Sequence, residues 1–243
     1  MDKVFVLRVL LSFFIAGGWI ALTSVLAEKF GSKIGGLISN LPSNILVSLV
    51  FISIVNDVSY LAELIPGIPI GLIIDTIFLL VFVILLRYNL VLSVIISLLV
   101  WFILAYVLAK LEFNNLIVNI LVYVLITALS LWFIERIVKI PSKDSKIRSF
   151  SAFQIIYRAA FGGSIVATIV VFSTIFNPFF TGIFSTFPAM ILSTLIILTI
   201  SQGNEFTRAA GKVLILSTTN IIVYAIMVGY TYPRYGILIG TVF

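Results

Sequence analysis

Apolar runs of about 20 residues alternate with short polar turns along the whole chain. None shows the period-two alternation of an outer-membrane strand. The runs predict helices over 4–27, 34–55, 69–86, 90–109, 116–138, 149–176, 179–201 and 209–230. Polar residues mark the turns between them. These are Glu28 to Lys33, a connector from Asn56 to Gly67 leading into the breaker Pro66-Gly67-Ile68-Pro69, Arg87-Tyr88-Asn89, Lys110 to Asn115, Glu135 to Arg148, and Gln202 to Arg208. After Pro233 only Arg234 to Phe243 remain, too few to span. The predicted fold class is an all-α membrane protein with about eight transmembrane helices.

Laid over this pattern is a stretch that occurs twice. The first half carries Gly17-Gly18-Trp19-Ile20 and then Gly35-Gly36-Leu37-Ile38-Ser39-Asn40-Leu41-Pro42. The second carries Gly162-Gly163-Ser164-Ile165 and then Gly182-Ile183-Phe184-Ser185-Thr186-Phe187-Pro188. The Gly-Gly pairs lie 145 residues apart, the prolines 146, and Arg87-Tyr88 precedes Arg234-Tyr235 by 147. Landmarks in the same order and register indicate an internal repeat. Repeat 1 occupies 1–110 with four helices, 111–148 is a linker helix and loop, and repeat 2 occupies 149–243 with three helices and a short stub. Five crossings separate the first helix from its counterpart over 149–176, so the repeats are expected to be inverted.

Composition narrows the class. With 62% hydrophobic and 10% charged residues and a mean hydropathy of +1.28, a soluble domain is excluded. The absence of Cys and His excludes disulfides, thiol chemistry, His- or Cys-ligated zinc and Ser-His triads. No phosphate-binding loop or dinucleotide fingerprint occurs, and no cofactor is expected. The net charge of +6 belongs to loops facing anionic lipid, not to nucleic-acid binding. One side collects Lys29, Lys33, Arg87, Arg136, Lys139, Lys143, Lys146, Arg148, Arg208 and Lys212; the other has Lys3, Arg8, Lys110 and Arg234. The richer side is expected in the cytoplasm, with both termini outside the cell membrane. Residues 1–27 have the outline of a signal peptide but contain the first Gly-Gly pair, and are expected to be retained.

Few residues can carry chemistry. Pro42 and Pro188 each lie about eight residues into a helix, roughly 12 Å deep, and enter from opposite faces. A proline frees a carbonyl one turn earlier, and broken backbone at that depth must be buried in protein or line a cavity. Asn40, Ser43 and Asn44 beside the first proline, and Ser185 and Thr186 before the second, can bind a solute or satisfy the freed carbonyls. Asp75 stands alone in an apolar run, where an ionised carboxylate is costly; it must be paired, protonated or wet, unless its helix starts later and places it at the interface. Asn220 falls near its repeat position. Arg158, four residues before Gly162, is expected to pair with Asp75, anchor an anion, or snorkel to the headgroups. Glu205 and Arg208 are placed to cap a helix and pair at i,i+3. The Gly-Gly pairs suit close helix packing.

The stretch from Gly182 to Tyr235 resembles the GlpM-type family of small membrane proteins. It carries Gly182, Phe187-Pro188 and Gly203-x-Glu205-x-x-Arg208, then a Thr/Ser/Asn-containing helix ending near Gly-Tyr. The first half, with Gly35-Gly36, Leu41-Pro42-Ser43 and Phe51-Ile52, is similar to related archaeal-type membrane proteins. The chain thus looks like a duplicated form of an uncharacterised family, and the resemblance implies no particular activity. The first half lacks the Gly-x-Glu-x-x-Arg turn.

The functional expectation is a secondary transporter or exporter of a small solute, an anion if Arg158 anchors it, coupled to a proton or ion. Its site would lie at the repeat interface, built from Asn40, Pro42, Asn44, Asp75, Arg158, Thr186, Pro188 and Asn220. A channel is the near alternative, and a structural subunit of a membrane complex is the alternative from another class. An intramembrane enzyme has least support, since no second carboxylate or nucleophile stands beside Asp75. A dry, packed region around the prolines would favour the structural reading. Oligomeric state is left open.

Overall fold

Side chains at the turns decide where the helices begin. In the computed structural model, which describes residues 3–29, 43–140 and 151–242, Asn89 accepts from the backbone N–H groups of Val91 and Leu92 and starts α5 (Leu90–Leu111). Asn115 accepts from Val118 N and starts α6 (Leu116–Phe133), which ends in a wider π turn, Ile134–Val138. Ser151 and Gln154 form a reciprocal capping box on α7 (Ala152–Phe172). Asn177 caps α8 (Pro178–Ser185), with Pro178 in the first turn, where no N–H partner is needed.

The remaining helices are α1 (Lys3–Lys29), α2 (Ser43–Val55), α3 (Tyr60–Leu64), α4 (Gly67–Leu85), α9 (Ala189–Gln202), α10 (Asn204–Ser217) and α11 (Thr219–Val242). Among the described residues, seven helical stretches are long and apolar enough to cross a membrane, and the all-α class stands. α2 is a shorter apolar helix. The rest of the predicted 34–55 helix, including Asn40 and Pro42, lies outside the described residues.

α4 is the hub. Ile68, Leu72, Ile74, Phe78, Leu79, Phe82 and Val83 are fully buried, as a helix surrounded on all sides must be. The helices at its flank are one-sided. α5 buries only Ser93, Ser97, Trp101, Ala105 and Ala109, each four residues after the last. α6 buries Asn119, Tyr123, Thr127 and Ser130. Their outward faces are apolar and suited to lipid. Small and polar residues thus face protein while Leu, Ile and Val face out, the reverse of a soluble bundle.

Polar contacts gather at the two ends of the bundle. At one end Asn177 Nδ2 donates to Glu112 Oε1 at 2.8 Å, and Asn119 Nδ2 donates to the carbonyls of Pro66 and Phe113. Beside them opens a pocket of about 330 Å³ that includes Glu63, Glu112 and Asn114 in its lining. At the other end Asn204 donates to Leu86 O and Arg208 Nε to Val83 O, tying α10 to the end of α4. The expected i,i+3 pair forms there: Arg208 meets Glu205 at 3.1 Å. Gly203, at φ 84°, makes the tight turn between α9 and α10 that a residue with a Cβ resists.

Three predicted features differ. The Pro66–Pro69 segment does not break the chain: Pro66 has helical torsions and leads from α3 into α4, giving one stretch from Tyr60 to Leu85. Prolines in a first helical turn lose no hydrogen bond, so turn and helix-start compositions coincide. The predicted 209–230 helix instead begins at Asn204 and is interrupted at Thr218, where Tyr123 OH bonds the hydroxyls of Thr218 and Thr219 at 2.8 and 3.2 Å. The C-terminal stub folds back. At Gly236 (φ 76°) the helix reverses, so that Thr231 Oγ1 donates to Gly240 O and Tyr232 OH meets Thr241 Oγ1 at 2.7 Å.

The two Gly-Gly pairs meet. A Cβ on Gly163 would strike Phe13 O, and one on Gly17 would sit 3.0 Å from Ala159 O. Contacts that climb α1 as they descend α7 mean the two helices cross antiparallel. Ile20 fills the space over Gly162.

Candidate functional site

The strongest site residue in the sequence is also the most enclosed. Asp75 is the ninth residue of the 19-residue α4 and only 1% exposed, so it lies near the middle of the spanning stretch and not at an interface. Its Oδ1 accepts from Trp101 Nε1 at 2.7 Å. Its Oδ2 is buried and has no hydrogen-bond partner among the described residues. A buried carboxyl oxygen without a partner is expensive and is usually explained by a proton, an ion or a ligand.

Trp101 links this carboxyl to the interrupted helix of α8 and α9. Its ring packs edge-on against Phe184 and Phe187, with centroids 5.1 and 4.8 Å away. Phe184 lies in the last turn of α8, and Phe187 lies within the interruption between α8 and α9. Phe184 continues a stack through Phe180, Phe176 and Phe172. The interruption itself spans Thr186 to Pro188, about 15 Å into the 178–202 stretch at 1.5 Å per residue. Pro188 cannot donate to the ladder, and α9 restarts at Ala189.

The carbonyls freed there are satisfied locally. Thr186 Oγ1 and N both donate to Ile183 O, at 2.9 and 3.2 Å, Phe187 N donates to Phe184 O, and Ser185 Oγ donates to Gly182 O. Residues 185–189 are all buried. α4 presses on α8 and the interruption through glycines: a Cβ on Gly71 would overlap Thr186 Oγ1, and one on Gly67 would overlap Phe179 O. Thr186 therefore spends its hydroxyl on its own helix and lies against Gly71, with Asp75 one turn further along α4.

The expected Asp75–Arg158 pair is not formed; the ion pairs among the described residues are Arg208–Glu205 and Lys212–Glu135. Asp75 is bonded to Trp101 instead. Arg158 does not snorkel to the surface either: it is 8% exposed, on the face of α7 that carries Gly162 one turn later. Asn44 lies against this face, its Oδ1 3.5 Å from where a Gly162 Cβ would stand. Asn220 is half-buried in the first turn of α11, beside Thr219, which meets Tyr123. The structure thus brings Asp75, Thr186 and Pro188 into one neighbourhood, while Asn44 lies against Gly162, one turn along α7 from Arg158.

Trp101 was not anticipated from sequence. Its signal was the Ser93, Ser97, Trp101, Ala105, Ala109 spacing, a small-and-polar stripe in an otherwise Leu/Ile/Val helix. The groups on the described residues include no cluster of three or more acidic side chains able to hold a metal ion.

Comparison with known proteins adds little to these contacts. No curated protein and no solved structure matches the chain significantly, and the GlpM-type assignment is not confirmed. Residues 9–114 match an uncharacterised family described as a protein of unknown function (DUF3147), in keeping with an uncharacterised membrane protein family.

Proposed function

We propose that this membrane protein is a secondary transporter or exporter of a small solute, with a midplane site and with Asp75 as the group that carries the coupling proton. One observation carries the reading. A lone carboxyl in the middle of a spanning helix has one oxygen on Trp101, the other without a partner, and through Trp101 touches Phe184 just before a helix interruption and Phe187 within it. Ionisable groups inside a membrane are costly and mark ion or proton pathways. Interrupted helices at corresponding positions of two inverted repeats mark the binding sites of many carriers. The antiparallel meeting of the two Gly-Gly pairs supports such a repeat.

The sealed packing at residues 185–189 favours a second reading, a structural subunit whose interrupted helix is only a shape. One experiment separates them. The chain has no cysteine, so single cysteines at Asn44 and Thr194 can be probed with a membrane-impermeant thiol reagent in oriented vesicles. A carrier exposes each position to either side in turn, with a balance that shifts with pH and is fixed by Asp75→Asn. Protection from both sides at every pH, unchanged by Asp75→Asn, would establish the structural reading.

A further inference from the structure

Asp75 meets its surroundings through aromatic rings. Trp101, which donates to its Oδ1, stands against Phe102, Phe184 and Phe187, with centroids 5.3, 5.1 and 4.8 Å away and ring planes 83° to 87° from its own. Phe102 closes the group, 6.4 Å from Phe184 and 5.9 Å from Phe187. Four rings thus gather beside one carboxyl whose second oxygen has no partner among the described residues. The enclosure is uneven. Asp75, Trp101 and Phe187 are buried, whereas Phe102 is 47% exposed and Phe184 half-buried, so the group opens toward the lipid-facing side of α5 and α8. From Phe184 the rings continue to Phe180 and Phe176 at 4.5 Å each, carrying aromatic faces to the start of α8. The basic side chains on the described helices packed against α4 are engaged elsewhere. Lys110 lies over Tyr106, Arg208 meets Glu205, Lys212 meets Glu135 and Arg234 lies over Tyr230.

We propose that Asp75, Trp101, Phe102, Phe184 and Phe187 form the binding site for a small organic cation with an apolar body, of the quaternary or aromatic ammonium class. The carboxylate supplies the opposite charge, and ring faces attract a cation through their quadrupoles, most strongly where water is excluded. Other solutes fit the same groups poorly. Ser185 and Thr186 donate their hydroxyls to their own helix, so they have no donor to offer an anion or a sugar. A bare metal ion needs more oxygen ligands than one carboxyl supplies. An apolar body, by contrast, replaces ring–ring contacts with ring–ligand contacts at little cost. Phe102, the most exposed of the four rings, is the one that swings toward lipid to admit it. Cation and proton are then alternative partners of one carboxyl.

The site rests on the carrier reading for its use and supplies that reading's solute class, yet binding can be measured without transport. The chain has three tryptophans, so Trp19→Phe with Trp132→Phe leaves Trp101 as its one indole. This full-length protein, purified in detergent, is titrated with benzyltrimethylammonium chloride against sodium chloride at constant ionic strength while Trp101 fluorescence is followed. The expected result is a saturable change. Tetramethylammonium, which lacks the ring, should need about ten times the concentration, and phenylacetate, with a like body and the opposite charge, should give no saturable change. Asp75→Asn keeps an acceptor for Trp101 and should abolish the response. Asp75→Glu should retain a weakened one and serves if Asp75→Asn does not fold. Phe184→Leu and Phe187→Leu should each raise the half-saturating concentration about tenfold. No saturable change with benzyltrimethylammonium, an equal change with phenylacetate, or an unaltered response in Asp75→Asn overturns the site. An unaltered response in both leucine variants overturns it as well, since the rings would then take no part. Binding combined with cysteines protected from both sides leaves the cation site standing and removes transport; alternating exposure without binding leaves the carrier and removes the cation.

Discussion

At the scale of single residues, Asp75 and Trp101 act as a pair. Trp101→Phe keeps the aromatic contacts with Phe184 and Phe187 but removes the N–H, leaving both carboxyl oxygens of Asp75 without a donor. The cost is expected at about 1–3 kcal/mol of unfolding free energy, the penalty of an unsatisfied buried polar group. Asp75→Asn retains an acceptor for Trp101 and removes the ionisable oxygen, so its stability should equal or exceed the wild type's. Thermal unfolding of both variants in the same detergent tests this, and equal losses would show that the hydrogen bond contributes nothing. The lone acid was legible because nothing else in its run is charged. Its partner was legible only as a spacing. That Thr186 turns its hydroxyl onto Ile183 O could not be read from the sequence, because a threonine before a proline serves either its own helix or a ligand.

Among elements, glycine fixes which helices touch. Gly163 and Gly18 make a matched test: a Cβ at Gly163 would run into the Phe13 carbonyl, and one at Gly18 would meet nothing within 4 Å. Gly163→Ala should therefore destabilise by roughly 1–3 kcal/mol through forced separation of α1 and α7, whereas Gly18→Ala should be neutral or slightly stabilising from better helix propensity. Equal behaviour of the two variants in a thermal melt would contradict the close crossing. The spacing of the two Gly-Gly pairs in the sequence put them in the same register, but did not say that they pack on one another. The Pro66-Gly67-Ile68-Pro69 stretch misled for the opposite reason. Its residues suit a turn and a helix start equally, and only the packing of Gly67 on Phe179 and Ile183 favours the second.

Over the whole molecule, the apolar pattern located the spans well, because a bilayer demands the same length and composition of every crossing helix. It was blind to interruptions inside them, at Thr218 and Gly236, which depend on contacts from Tyr123 and on backbone torsions. The polar ends give the topology a direct check. Single cysteines at Arg87 and Lys139 should be labelled from the cytoplasmic side, and those at Asn114 and Thr174 from the other. Labelling of Arg87→Cys and Asn114→Cys from the same side would mean that α5 does not cross.

The glycine contacts also say which parts can move together. α4 and α8 touch backbone to backbone through Gly67 and Gly182, and α1 and α7 do so through Gly17 and Gly163. Neither pair can slide without separating main chains already at contact distance, so each behaves as a stiff plank. α2 carries no such lock: its contacts with the Trp19, Val166 and Val170 cluster are made by side chains, which can exchange rotamers as it tilts. If the protein opens to either side of the membrane, the hinge belongs at the edges of these planks, and α2 with Asn44 and Ser48 is the wedge between them.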